Sequence, residues 1–264
     1  MLGEERIFDE GTFTMDSAYN LQDVSVAILA GGLGTRLRAV LPDRPKVLAE
    51  VRGRPFFAYV MAQLSQVGVR RVVLCTGYLG DVVKNALGES YHGMELLYSR
   101  EASPRGTGGA LRLALPLLES DPVLVMNGDS FCTVDLRAFW AWHVERKAGA
   151  TILLAKVHDT ACYGRVRLDA MGRLNTFEEK STGGRPGWVN AGVYLMSRSL
   201  IHSIPDNRAV SLEKEMFPNW VGNRLFGYRN DGALIDIGTP EGYSSAPPFF
   251  CERQLEIGRS AQKI

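Results

Sequence analysis

Two stretches early in the chain concentrate residue types that handle phosphate. Leu29-Ala30-Gly31-Gly32-Leu33-Gly34-Thr35-Arg36-Leu37 places three glycines ahead of an arginine. Glycines let backbone N–H groups come close to phosphate oxygens, and a guanidinium offers a two-pronged fork to the same oxygens. Arg44-Pro45-Lys46-Val47-Leu48 follows, where the proline stiffens the loop and Lys46 adds a point charge. Two known glycine motifs do not fit. A dinucleotide-binding fingerprint needs a third glycine where Leu37 stands, and a Walker loop needs a Gly-Lys-Ser/Thr end that is missing. Farther on, Asn127-Gly128-Asp129 follows an apolar run, so Asp129 falls at the C-terminal end of a strand, where open α/β sheets place ligands. Asp236 ends a strand in the other half of the chain and is able to meet it. Each acid also has a plainer reading. Asp129 could cap the next turn, and Asp236 could cap a helix that starts at Thr239-Pro240, although Thr239 is the better N-cap.

The elements that must hold these residues follow from periodicity. Val24–Ala30, Arg70–Thr76, Met94–Ser99 and Val123–Met126 are apolar runs of strand length. Between and after them, helical patterns cover Pro55–Val67, Leu79–Leu87, Gly109–Leu118 and Asp135–Lys147. Strand alternating with helix implies parallel pairing through crossovers. After about residue 150 the pattern changes. Thr151–Val157 and Trp188–Met196 read as strands, and Arg165–Leu168 and Leu174–Glu178 flank a turn at Ala170–Gly172. Leu225–Arg229 and Ala233–Ile237 flank Asn230-Asp231-Gly232, which predicts a hairpin because glycine supplies positive φ. The expected fold is α/β and Rossmann-like in three layers, with a mixed, mostly parallel central sheet and an antiparallel part covering the substrate. Residues 1–23 read as an N-terminal extension. Residues 24–264 read as one domain: a nucleotide-binding half over about 24–150, a substrate-covering half over 151–245, and a short tail.

Composition narrows the partners. The 264 residues carry 30 Lys plus Arg against 29 Asp plus Glu, a balance too even for a nucleic-acid binder. No apolar run approaches the roughly 18 residues of a membrane span, and the acidic start does not resemble a signal peptide. Cys75, Cys132, Cys162 and Cys251 show no metal-ligand spacing and read as buried free thiols, consistent with a reducing cytoplasm. Trp140 and Trp142 read as core or edge aromatics, and the four histidines show no ligand spacing. A homo-oligomer is compatible with the sequence.

Taken together, the glycine loop and Arg44-Pro45-Lys46 resemble the signature of the sugar-1-phosphate nucleotidyltransferases, the nucleoside-diphosphate-sugar pyrophosphorylases. The resemblance continues in family order over residues 26–245. Glu101-Ala-Ser-Pro-Arg-Gly106-Thr107-Gly108-Gly109-Ala110-Leu111 looks like the nucleotide-base segment, and Asn127-Gly128-Asp129 like the segment of the first metal-binding Asp. Phe177-Glu178-Glu179-Lys180 looks like the Glu-Lys pair for the sugar and its phosphate. Asn190-Ala191-Gly192-Val193-Tyr194 resembles the sugar-contacting segment. Leu234-Ile235-Asp236-Ile237-Gly238-Thr239-Pro240-Glu241 resembles the segment of the second metal Asp. What the resemblance implies is a set of roles. Arg36, Lys46 and Asp129 are catalytic. Leu29, Ala30, Gly31, Gly32, Gly34, Thr35, Glu101, Gly106 and Thr107 bind the nucleotide. Gly164, Glu179, Lys180 and Asn190 bind the sugar phosphate, and Asp129 and Asp236 hold Mg²⁺. Glu179 and Lys180 are also readable as an exposed charged turn, and Asn190 as a buried core residue.

The implied reaction joins a nucleoside triphosphate to a sugar 1-phosphate and releases pyrophosphate. Two anions must meet, and at about 4 Å each unit pair repels by about 4 kcal/mol at an effective dielectric near 20. Converging cations and Mg²⁺ between two carboxylates answer that need. Glu101 stands where the family often has an amide. A carboxylate can accept both N1–H and N2–H₂ of guanine, which favours GTP. Ser211-Leu-Glu-Lys-Glu-Met-Phe-Pro218 and Asp236–Tyr243 look most like the short D-glycero-D-manno-heptose 1-phosphate guanylyltransferases, which supply bacterial surface polysaccharides. Mannose, glucose or cyclitol phosphates with GTP, dTTP or UTP stay open. A regulatory relative without catalysis is disfavoured because Arg36, Lys46, Asp129, Lys180 and Asp236 are all present.

Overall fold

A computed structural model describes residues 21–252, except 38, 39, 43, 162 and 179–183. The expected extension up to residue 20 and the tail from 253 lie outside the described residues. The first half runs β1 (Ser25–Leu29), β2 (Glu50–Val51), β3 (Arg54–Pro55), α1 (Phe56–Gln66), β4 (Arg71–Thr76), α2 (Gly80–Leu87), β5 (Ser90–Tyr91), β6 (Met94–Arg100), α3 (Gly106–Ala114), β7 (Val123–Asn127), β8 (Ser130–Cys132) and α4 (Leu136–Glu145). The second half adds β9 (Ala150–Val157), β10 (Arg165–Leu168), β11 (Leu174–Glu178), β12 (Gly187–Met196), α5 (Arg198–His202), α6 (Phe217–Trp220), β13 (Leu225–Asn230), β14 (Leu234–Asp236) and α7 (Pro240–Glu252).

One sheet takes strands from both halves, in the order β11-β10-β12-β7-β1-β4-β6-β5. Its centre, β7-β1-β4-β6, is parallel. β12 runs antiparallel to β7 and, by its other edge, to β9, which carries β13 in parallel. β1, β4 and β7 are apolar over most of their length because both faces are covered, while β6, nearer the edge, exposes Glu95 and Arg100. Val26, Ile28, Val72 and Leu74 pack under α1, α2, α4 and α7. Ala27, Val73, Cys75 and Val125 pack under α3, α5 and α6. These are the three layers the alternation implies. Asp135 starts α4 by accepting from the N–H groups of Arg137 and Ala138 at 2.9 and 3.0 Å, a cap worth about 1 kcal/mol.

Two expectations fail in instructive ways. Residues 225–237 do not form a hairpin. β13 joins β9, whereas β14 pairs with β8 in a separate two-stranded sheet. The Asn230-Asp231-Gly232 corner moves the chain from one sheet to the other. Gly232 is needed for proximity rather than for a turn, since a Cβ there would collide with the Thr133 carbonyl oxygen. Asn230 Nδ2 donates to that same oxygen at 2.9 Å. The helix expected from Gly109 begins instead at Gly106. A run of glycines is a poor helix start by propensity. Here the Gly108 and Gly109 N–H groups donate to the Val210 carbonyl at 2.9 and 3.2 Å, so the first turn is held from outside. Gly106 has φ of +70°, and a Cβ on it would meet the Val210 carbonyl oxygen. Of the cysteines, Cys75 and Cys132 are buried and burial pushes both thiols up to about 12, but Cys251 is exposed on α7. Cys162 lies outside the described residues.

Candidate active site

The chain leaves β7 by a sharp bend, where the Gly128 N–H donates to the Leu29 carbonyl at 2.9 Å. That bend delivers Asp129 to the C-terminal edge of the sheet. Asp236 arrives from the other side, because β14 pairs Asp236 with Ser130 of β8 and the Ile237 N–H donates to the Asp129 carbonyl at 2.9 Å. α7 follows directly. It is fixed by Phe250, which stacks on Tyr59 with centroids 3.8 Å apart, and by the Tyr243 hydroxyl, which donates to the Glu50 carbonyl at 2.7 Å. The two acids, far apart in sequence, are thus locked as neighbours.

Lys46 Nζ donates to Asp129 Oδ2 at 2.7 Å, with the lysine side chain 17% and the aspartate 32% exposed. Lys46, Asp129 and Asp236 converge on Gly238: a Cβ there would lie 2.7 Å from Asp236 Oδ1, 3.3 Å from Lys46 Nζ and 3.4 Å from Asp129 Oδ2. The Asp236 carboxyl is pushed up to about 6, first by burial and then by the charge of Asp129. The Gly238 N–H at 2.6 Å, Lys46 and Arg36 pull the other way and do not cancel it. The pair is therefore short of positive charge. Among the described residues no group of three or more His, Cys, Asp or Glu could hold a metal alone. Two adjoining carboxylates with unmet charge fit a hard divalent cation that completes its shell with waters and phosphate oxygens.

These residues border a cleft of about 390 Å³. Of the expected residues, Leu29, Ala30, Gly31, Gly32, Arg36, Lys46, Glu101, Gly106, Thr107, Asp129, Gly164, Asn190 and Asp236 all line it. Gly34 and Thr35 do not. Gly34, at φ of +63°, instead stands beside the stem of Lys46, from which a Cβ on it would lie 3.5 Å. Glu179 and Lys180 lie outside the described residues. Glu101 is buried, and its Oε2 accepts from the Arg105 N–H at 2.9 Å. Burial raises its carboxyl. Gly31 is required beside it, since a Cβ there would sit 2.9 Å from Glu101 Oε1. Asn190 does not lie in the core. Its Nδ2 donates to the Tyr194 hydroxyl at 2.9 Å and its Oδ1 accepts from the Gly192 N–H at 2.9 Å, which fixes the amide at the cleft wall.

The segment 206–215 lies across the start of α3. The Arg105 guanidinium donates to the Asp206 carbonyl at 3.0 Å, and the Val210 N–H donates to the Arg105 carbonyl at 2.8 Å. Because Gly108 and Gly109 spend their N–H groups on Val210, the glycine run serves this docking as well as the cleft. Asn127, Tyr163, Phe177 and Glu213 also line the cleft, and the sequence reading gave them no role. Three of them stood beside motif residues: Asn127 in Asn127-Gly128-Asp129, Tyr163 before Gly164, and Phe177 ahead of Glu179. Glu213 lay inside Ser211–Pro218, a stretch singled out only for likeness.

A parallel sheet whose C-terminal edge gathers glycine backbone, a lysine and twinned aspartates is built to bring phosphate groups together, and the chain is of the phosphate-transferring α/β class. Comparison narrows the class: the nucleotidyl transferase family model matches residues 25–253, and the chain belongs to that family. It is 33% identical to the D-glycero-alpha-D-manno-heptose 1-phosphate guanylyltransferase of Aneurinibacillus thermoaerophilus over 220 residues, 83% of this chain and 95% of that protein. It is also 33% identical to the mannose-1-phosphate guanylyltransferase of Mycobacterium tuberculosis over 224 residues, but spans only 62% of that protein. HddC from Yersinia pseudotuberculosis superposes with a TM-score of 0.78 at 31% identity, covering 86% of this chain and 99% of HddC. HddC has also been solved complexed with GMP-PN.

Proposed function

We propose that the chain transfers a guanylyl group from GTP to D-glycero-D-manno-heptose 1-phosphate, releasing pyrophosphate and giving a GDP-sugar for surface polysaccharide. The observation that carries this reading is the meeting of Lys46, Asp129 and Asp236 in one glycine-walled cleft. Mg²⁺ is the fitting ion for Asp129 and Asp236, and when bound it would neutralise phosphate charge as the two substrates approach. The chain's own groups do the rest. Gly31 and Gly32 offer backbone to the triphosphate, and Arg36 and Lys46 offset the charge of the reacting phosphates. The attacking phosphate oxygen is held in line with the α-phosphorus, so positioning and neutralisation supply the catalysis without a covalent intermediate. Glu101 accepts the N–H groups of guanine. Gly164 and Asn190, with Glu179 and Lys180, receive the sugar phosphate. Residues 24–264 work as one domain in two halves. No described helix is long and apolar enough to cross a membrane. The buried free thiols of Cys75 and Cys132 fit a cytoplasmic location.

The 33% identity to the heptose enzyme over 95% of that protein supports a heptose phosphate; the likeness to the mannose enzyme supports mannose 1-phosphate as the second reading. Pyrophosphate release is measured over a panel of triphosphates and sugar 1-phosphates, with and without Mg²⁺. The expected result is metal-dependent release with GTP and the heptose phosphate. No release with any pair would overturn the reading, and release with mannose 1-phosphate in preference would transfer it to the second substrate.

A further inference from the structure

Glu213 is a carboxylate of the cleft wall that none of the roles above uses. It belongs to the short helix Leu212–Met216, whose start is fixed by Ser211 Oγ accepting from the Lys214 N–H at 3.1 Å. Hydroxyls from three parts of the fold then hold the side chain. Its Oε2 accepts from Thr107 Oγ1 on α3 at 2.7 Å and from Ser211 Oγ at 3.0 Å. Its Oε1 faces the hydroxyl of the fully buried Tyr194 on β12 at 3.4 Å. Thr107 Oγ1 in turn accepts from the Leu212 N–H at 2.9 Å, so donor and acceptor are both committed there.

An ionised carboxylate has about four acceptor sites. Two short bonds occupy Oε2, while the single long one leaves Oε1 with acceptor capacity to spare. An oxygen held in a cleft wall with lone pairs to spare is placed to accept from a donor that enters the cleft. A phosphate cannot be that partner, because like charges repel most where water is scarce. A hydroxyl can. The same cleft is lined by Tyr163, Phe177 and Asn190, an aromatic and amide surface suited to a polyol with apolar faces.

We propose that Glu213 accepts a hydrogen bond from a hydroxyl of the sugar 1-phosphate and so helps determine which sugar is used. Thr107, Ser211 and Tyr194 are its positioning residues. The inference rests on the sugar 1-phosphate reading above and adds a contact that reading does not contain. A site built to pair with a hydroxyl rejects partners that leave it unpaired far better than an apolar wall rejects size.

The test is steady-state kinetics of Glu213→Gln and Glu213→Ala with GTP and either D-glycero-D-manno-heptose 1-phosphate or mannose 1-phosphate, beside the Tm of each variant. In Glu213→Ala, kcat/KM for the better sugar falls roughly 10- to 100-fold, the size of one lost hydrogen bond to a charged acceptor. The loss resides in the KM for the sugar, while the KM for GTP stays within a factor of two or so. Glu213→Gln, which keeps shape and one acceptor, recovers part of it. An unchanged sugar KM in both variants overturns the inference. So does a parallel rise of both KM values with a lowered Tm, which would make Glu213 a strut of the 206–215 segment. If wild-type protein releases pyrophosphate with no sugar 1-phosphate, the functional reading falls first and Glu213's role with it.

Discussion

The neighbouring carboxyls of Asp129 and Asp236 predict a trade between stability and activity. Asp236→Asn keeps the shape of the side chain and leaves an oxygen to accept the Gly238 N–H, but it removes the charge that Asp129 and burial oppose. The Asp236 carboxyl rises from an ordinary 3.8 to about 6 in the fold. A carboxyl raised on folding binds its proton more tightly in the folded state. Stability is therefore greatest below the unfolded value, is lost as pH rises through about 6, and does not return above it. At about 1.4 kcal/mol per pH unit, the roughly two-unit rise destabilises the metal-free protein by about 3 kcal/mol at neutral pH. Asparagine does not titrate. Without metal, Asp236→Asn should raise Tm at pH 8 by several degrees, at roughly 2–4 °C per kcal/mol, and the gain should shrink toward zero near pH 4. Adding Mg²⁺ should stabilise the wild type more than the variant, and metal-dependent pyrophosphate release should be lost. Thermal unfolding followed by circular dichroism, with EDTA or with Mg²⁺ at both pH values, checks each part. A variant no more stable than wild type at pH 8, or a gain that is the same at both pH values, would refute the claim that burial and the Asp129 charge oppose an ionised Asp236.

Three further outcomes follow from the same geometry. Lys46→Ala should lower turnover on the order of 10²–10³, as for loss of a charge aimed at the reacting groups; activity within a few-fold of wild type in the pyrophosphate assay would remove Lys46 from the mechanism. Glu101→Gln can still accept the Arg105 N–H but presents one donor to guanine, so selectivity for GTP over UTP in competition should fall; unchanged selectivity would put base recognition on the backbone. Gly232→Ala should destabilise by about 2 kcal/mol or more, because the new methyl meets the Thr133 carbonyl and must push β14 from β8; an unaltered midpoint in urea would show that this corner has slack.

The parts of the fold written in consecutive residues were legible. β1, β4 and β7 announce themselves as apolar runs, since each is covered on both faces, and the changed pattern after residue 150 marks the antiparallel strands. β10 and β11 fall where Arg165–Leu168 and Leu174–Glu178 placed them. What was not legible depended on contacts made across the chain. The three-residue strand β8 is too short to show a period, and β14, which falls within the strand expected over Ala233–Ile237, pairs with it rather than with β13, because Asn230-Asp231-Gly232 carries the residues of a tight turn while serving a change of sheet. The same division holds at the site. The glycine loop, Lys46, Asp129 and Asp236 sit in compact motifs, whereas Glu213 gains its meaning only from Thr107 and Tyr194, which α3 and β12 bring to it.

How one sheet unites the two halves is visible in β12. Its early residues pair with β9 on one edge and, at Val189, with β10 on the other; from Val193 onward the second edge belongs to β7. The register against β9 shifts between Asn190 and Tyr194, where Gly192 adopts φ of +75° and leaves room for Asn127 and Ser130. A bulge of this kind re-aims side chains at the cost of regular pairing. Here it turns Asn190 toward the cleft and sends Tyr194 inward to hold both Asn190 and Glu213. The irregularity stands where the strands of the first half meet those of the second, and Asp129 emerges from the neighbouring β7 only two residues past Asn127. The join between the halves and the cleft are therefore one structure, since the strand that crosses the join also supplies Asn190 to the cleft wall.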